Sequence, residues 1–333
     1  MISGHGGNTS ADPTADYWQG SPAMNTGAAA LAQAMNVKGI VDSHHHVWRM
    51  ADLPWLTGPM LPRIFGPYES IRRDYLADEY IRDATAAGVV AAVYVQPNWP
   101  LDRSLDEIRW IAEVHDQHGW PHAAVGSADM FDRGAAEVFR QQQQLSPLMR
   151  GARLQLHWHE NEQYRFASQP DRMKDPVFQE NLAVLDDLGW LFELQVFPQQ
   201  MADAAKLVAD FPGVTFVLVH AGMLESAEAR HTGPWRAGLE LLAAQPNVIA
   251  KLSGQGTFVH RVDPELISVV VTTAVELFGS ERCMFGSNFP IERIWTDFDT
   301  LVTAWLRAIE PFTDRVRQDL MGATARRVYS LAS

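Results

Sequence analysis

A single cysteine, Cys283, stands in 333 residues, so no internal disulfide can form and the chain suits a reducing compartment. Positive charge is scarce as well: 27 Lys and Arg against 40 Asp and Glu leave a formal net charge of −13. No basic stripe interrupts that surplus, which argues against nucleic acid and against an anionic membrane as partners. No apolar run approaches the roughly 20 residues that span a bilayer, and the start shows no basic-then-apolar leader pattern. A cytoplasmic protein is the expectation. No Gly-rich phosphate loop follows any apolar run, so an open dinucleotide-binding sheet has no support. What the chain does have is 47% hydrophobic and 20% charged residues, enough to build a large core.

Residues 1–36 are rich in Gly, Ser, Thr, Ala and Pro and read as an irregular N-terminal arm. Its Tyr17–Trp18 pair suggests docking on a neighbouring subunit, as in a homo-oligomer. Over 37–333, short β-branched runs alternate with segments of helical period. Strand candidates are "VKGIVDSH", "GVVAAVYVQP", "HAAVGSADM", "RGARLQLHWH", "WLFELQVFP", "VTFVLVHAG", "NVIAKLSG" and "RCMFGSN". A helical segment follows each, from "DEYIRDATAAG" to "WTDFDTLVTAWLRAI". Eight such pairs predict an α/β fold of parallel strands, a distorted (β/α)8 TIM barrel.

Active sites of such barrels lie at the C-terminal strand ends, where inward side chains meet a cavity. Polar residues alternate with apolar ones at several of these ends: Arg153, Gln155, His157 and His159; Glu193 and Gln195; Tyr94 and Gln96; Lys251 and Ser253. Buried polar groups cost free energy unless satisfied, so this pattern points to an enzyme-like cavity and a small-molecule substrate. In "DSHHHVW" the alternation places His44 and His46 on one face, Asp42 beneath them, and His45 on the other. Two imidazoles at i and i+2 converge on one point. That suits a divalent metal, and equally suits hydrogen bonds to a substrate carbonyl.

With "PWL", "VLVHAGM", "AKLSG" and "MFGSNFPIE", the motif "VDSHHHVW" resembles the amidohydrolase superfamily over about residues 38–330. More narrowly it resembles the amidohydrolase-2 branch, which includes lactonases acting on sugar lactones and on pyrone dicarboxylate. The resemblance implies that His44 and His46 are the first-strand pair and His220 the sixth-strand histidine. Asn288 falls where the superfamily usually carries the aspartate that activates water, and an amide cannot take a proton. The fifth strand offers Glu193 and Gln195 where metal-dependent relatives carry histidine, and no bridging ligand stands on the fourth. A binuclear centre is therefore not expected. His44, His46 and His220 remain ligands for one Zn²⁺, with Glu193 or His157 as a further donor. Without metal, the resemblance implies that imidazoles polarise the carbonyl while arginines hold substrate carboxylates.

The expected catalytic set is His44, His46, His220, Asn288, Glu193 and His157, with His220, His157 and Glu193 as candidate bases. Arg153 and Lys251 are candidate anchors for a carboxylate, or alternatively members of buried ion pairs. Gln96, Gln155 and Ser253 suit substrate hydroxyls or structural bonds. Trp48, Trp55 and Phe65 lie in a long loop after the first strand, and Tyr164, Arg165 and Phe166 in another after the fourth; both suit cavity walls. Glu292 and Arg293 are read as a pair. The expected activity is hydrolysis of a lactone or cyclic ester. The alternatives are a metal-dependent decarboxylase or hydratase of an aromatic-derived acid, or a binding protein with a degraded site.

Overall fold

The computed structural model describes residues 27–332. Eight strands form one parallel sheet in sequential order: β1 (Ile40–His45), β2 (Val89–Val95), β3 (Ala123–Gly126), β4 (Met149–Gln155), β5 (Leu191–Gln195), β6 (Phe216–Leu218), β7 (Val248–Leu252) and β8 (Cys283–Phe285). The segment after β8 closes the sheet on β1. There the Asn288 amide donates to the His44 carbonyl at 2.7 Å, and the His46 amide donates to the Phe289 carbonyl at 2.8 Å. A crossover helix follows each strand, so this is the expected (β/α)8 barrel.

Each outer helix is held by an apolar stripe. In Phe298–Ile309, Phe298, Leu301, Val302, Trp305, Leu306 and Ile309 are buried at helical spacing, and the Asp297 carboxylate caps the start by accepting from the Thr300 amide at 2.8 Å. Against this helix packs Ala28–Ala34, whose Leu31 and Ala32 are buried. The expected irregular arm is therefore corrected over these residues. Their alanine-rich sequence favours a helix, and the Asp299 carboxylate accepts from the Ala28 amide at 2.9 Å. Tyr17 and Trp18 lie outside the described residues.

Inside the barrel, Val41, Val93, Val125, Leu191, Val217, Ile249 and Met284 fill the floor, sealed by Ala325 and Tyr329 near the chain's end. Inward residues above this plug are polar on β4, β5 and β7. On β2 the expected facing is reversed: Val93 and Val95 point inward, while Tyr94 faces the helices and donates to Glu107 at 2.8 Å. Among the described residues no helix is long and apolar enough to cross a membrane.

Candidate active site

The register of β1 slips between Asp42 and His45, and the slip breaks strict alternation. Asp42 consequently leaves the face of His44 and His46. Its carboxylate accepts from the Tyr80 hydroxyl at 2.9 Å and the Ser287 hydroxyl at 2.6 Å, and the same Tyr80 ring stacks on His45. His44 and His46 point inward with ring centroids 5.1 Å apart, and His220 lies 5.0 Å from His44. The three expected histidines do converge.

His220 arrives by an unusual route. From His220 to Met223 four successive residues have positive φ (54°, 49°, 74° and 60°), a left-handed turn that costs roughly 1–2 kcal/mol for each non-glycine residue. The turn is held by Trp235, whose indole donates to the Ala221 carbonyl at 2.6 Å. It aims the His220 ring at Ser253, whose hydroxyl meets Nδ1 at 2.9 Å. Gly254 is packed against that ring: a Cβ there would stand 2.5 Å from His220 Nδ1, at a φ of +68°. Gly254→Ala is thus expected to push the ring off Ser253 and lower kcat at least tenfold, more than it raises KM. Steady-state kinetics on a folded variant checks this, and unchanged kcat would separate His220 from the chemistry.

These rings border a cleft of about 800 Å³, counting the space open to solvent at its mouth. His46, His220, Arg153, Gln155, His157, Gln96, Asn288 and Trp48 form its buried, deep lining, and Trp55, Phe65, Tyr164 and Phe166 its more exposed, mouthward lining. Four expected site residues do not reach it. Glu193 and Lys251 are both fully buried beneath, where the ammonium donates to Glu193 Oε1 at 2.6 Å and the Tyr329 hydroxyl donates to the same oxygen at 2.6 Å. Glu193 is therefore no base for cavity water and Lys251 no substrate anchor. Ser253 serves His220, and His44 sits between the layers, with Nδ1 3.8 Å from Glu193 Oε2 and Nε2 3.5 Å from Arg153 Nη1. Gln96 is committed as well, accepting from the Asn98 amide at 2.6 Å. His159 turns away toward Glu225, at 3.5 Å. Glu292 and Arg293 do not pair. Arg293 meets Glu79 and Asp83, whereas Glu292 accepts from the Trp295 indole at 2.9 Å and from the Asn288 side-chain Nδ2 at 3.4 Å.

Burial lowers the pKa of every histidine in the cluster, and Lys251 and Arg153 lower those of His44 and His220 further. His46 and His157 fall to about 3, through burial and then Arg153. Burial brings Lys251 to about 8 and Arg153 to about 10. The site thus holds neutral imidazoles beside two cations.

This arrangement predicts acid lability. His44, His45, His46, His157 and His220 are buried with lowered pKa values, so below the ordinary value of 6.5 the unfolded chain takes up five protons that the fold excludes. Burial raises Asp42, and lifts Glu107 and Glu292 to about 8, so the fold retains up to three protons that the unfolded chain releases. The histidines win by about two protons, and stability is expected to fall by roughly 3 kcal/mol per pH unit as pH drops from about 6 toward 5. Urea midpoints across that range check it; a flat profile would mean charged histidines in the fold.

The donor set does not fit a metal as it stands. Among the described residues, no group of three or more His, Cys, Asp or Glu side chains is arranged to hold one. His44 Nε2 faces the Arg153 guanidinium rather than open space, Glu193 is locked to Lys251, and Asn288 supplies an amide where a carboxylate is expected. The expected single-zinc set of His44, His46 and His220 is not arranged as a metal site among the described residues, and the Arg153 guanidinium stands 3.5 Å from His44 Nε2.

The barrel and its strand-end motifs have known counterparts. The amidohydrolase family model matches residues 41–331. The chain belongs to the amidohydrolase family. A protein of Sinorhizobium fredii with no assigned function is 30% identical over 87% of this amidohydrolase and 98% of the relative. A relative from Burkholderia multivorans named L-fucono-1,5-lactonase is also 30% identical, over 87% of this chain and 96% of its own. A Burkholderia multivorans amidohydrolase crystal structure described as having bound zinc superposes with a TM-score of 0.75 at 28% identity, covering 89% of this chain and 100% of its own. This amidohydrolase is a hydrolase enzyme by that membership.

Two contributors to the site escaped sequence reasoning. Tyr329 lies outside every strand motif, and Arg63 sits unmarked in a long loop; no local pattern announces either. Gln195 was visible as an inward residue, and it accepts from Arg153 Nη2 at 3.1 Å.

Proposed function

We propose that this amidohydrolase opens a lactone or similar cyclic ester by water attack at the deep end of the cleft. The observation that carries the reading is the state of His46. Its Nδ1 lies 2.6 Å from the Val95 carbonyl, which only accepts, so Nδ1 holds the proton and the neutral ring offers its Nε2 lone pair to the cavity. His46 takes the proton as water attacks the carbonyl carbon. Arg153, whose buried Nε has no partner, stabilises the developing oxyanion with His220 beside it. The ring C–O bond then breaks, and the leaving alkoxide recovers the proton from His46 to give a hydroxy acid. Asn288, whose side-chain amide donates to Glu292 at 3.4 Å, borders the same part of the cleft and positions the water without accepting its proton.

His157 is the weaker base, because its Nδ1 is buried with no partner to orient the ring. The Burkholderia relatives named L-fucono-1,5-lactonase support the reaction class. The decarboxylase or hydratase alternative requires a metal that the donor set does not accommodate, and the cleft's complete polar set disfavours a non-catalytic binder. A panel of 1,4- and 1,5-sugar lactones, assayed before and after chelation with metal content measured, tests the proposal. Turnover that survives chelation is expected. Loss of turnover restored by zinc would overturn the role given to Arg153, and absence of turnover on every lactone would overturn the activity.

A further inference from the structure

Three arginines and no carboxylate border the cleft, in a protein whose formal net charge is −13. Two of the three are committed. Arg153 engages His44 and Gln195. Arg165 donates through Nε to the His159 carbonyl at 2.5 Å and through Nη2 to the Glu160 carbonyl at 2.7 Å. The third, Arg63, is different: among the described residues its whole guanidinium makes no hydrogen bond and no ion pair, whereas in Arg153 only Nε lacks a partner. It lies half-buried on the wall, 5.9 Å from the centre of the Trp55 ring.

Arg63 is also held in place. The side chain of Gln163, from the loop after β4, donates to the Arg63 carbonyl at 2.9 Å, and the Gly66 amide donates to the same oxygen at 2.9 Å. Two long loops thus meet at this residue and fix its backbone. A partly desolvated guanidinium without a hydrogen-bond or ion-pair partner, on the wall of a cleft whose lining has no acidic group, is an incomplete pair. Its planar fork matches a carboxylate. Lys251, the other expected carboxylate anchor, is sealed below with Glu193, and Arg153 belongs to the reacting centre.

We infer that Arg63 is a carboxylate-binding subsite at the aromatic end of the cleft, and that the substrate is a lactone carrying a carboxylate remote from its reacting carbonyl. The inference rests on the lactone-opening reading for its substrate, but not for its binding chemistry. Two probes differ only at the remote carbon: glucaro-1,4-lactone ends in a carboxylate and glucono-1,4-lactone in a hydroxymethyl group. Arg63→Ala is expected to raise KM for the carboxylated lactone by about 10–100-fold, and to raise it for the neutral lactone at least tenfold less. Arg63→Lys should restore part of the loss, and the wild-type preference for the carboxylated probe should shrink with added salt. Equal effects on both lactones would overturn the subsite.

Calorimetric binding of glucarate, the open-chain dicarboxylate, needs no turnover and separates the two claims. Binding weakened tenfold or more by Arg63→Ala supports the subsite even if no lactone is hydrolysed. Equal binding to both proteins, or none to the wild type at millimolar concentration, overturns it while leaving lactone hydrolysis to stand on its own assay.

Discussion

Replacing His46 by Gln is expected to lower kcat by about 10²–10⁴-fold while KM moves little, because a positioned base contributes that much and is used only as the proton moves. Gln keeps a polar side chain of similar reach, so β1 and its closure on Phe289 should survive; circular dichroism and a urea midpoint confirm the fold. His46 is singled out by orientation. The Val95 carbonyl fixes its tautomer, the ring stacks on Trp48 with centroids 6.4 Å apart, and burial keeps it neutral. His157→Gln, at a site without an orienting partner, should cost much less. A fall of less than about tenfold in His46→Gln would transfer the base role to His220.

The second large effect is on stability. Lys251→Met removes the ammonium that donates to Glu193 in a wholly buried pair, leaving a carboxylate with the Tyr329 hydroxyl on Oε1 and the His44 ring 3.8 Å from Oε2, and no cation on either oxygen. Breaking a buried pair from one side costs about 3–5 kcal/mol, since the remaining charge stays desolvated. The double variant Lys251→Met, Glu193→Gln should recover part of that loss by removing the stranded charge. Urea denaturation of both variants decides the point, and a loss under about 1 kcal/mol in the single variant would mean that Glu193 is neutral in the fold. The same pair lies directly beneath His44, so the single variant should also lose turnover before it unfolds. Tyr329 ties the chain's end into this layer, which makes the barrel floor part of the site's support.

The chain's local patterns determine much of this. Period-2 runs followed by helical periods specify eight strand–helix units, and one-sided polarity marks Arg153, Gln155, Glu193, Gln195 and Lys251 as inward residues. All five do point inward, because a regular strand transmits its facing directly from residue to residue. Facing alone does not set depth. Strand stagger around the barrel puts Lys251 and Glu193 below the cavity and Gln155 at its wall, and only the closed sheet sets that stagger.

Where the backbone is irregular, even the facing escapes local reading. The slip in β1 sends Asp42 to Tyr80, and the left-handed turn at His220–Met223 carries a histidine into the cavity from beyond its strand. The remaining decisions belong to tertiary structure because they join distant segments. Arg153 meets His44 across the barrel, Tyr329 reaches Glu193 from the opposite end of the fold, and Arg63 is left unpaired at the cleft. Periodicity encodes which way a side chain points; closure of the barrel decides what it meets.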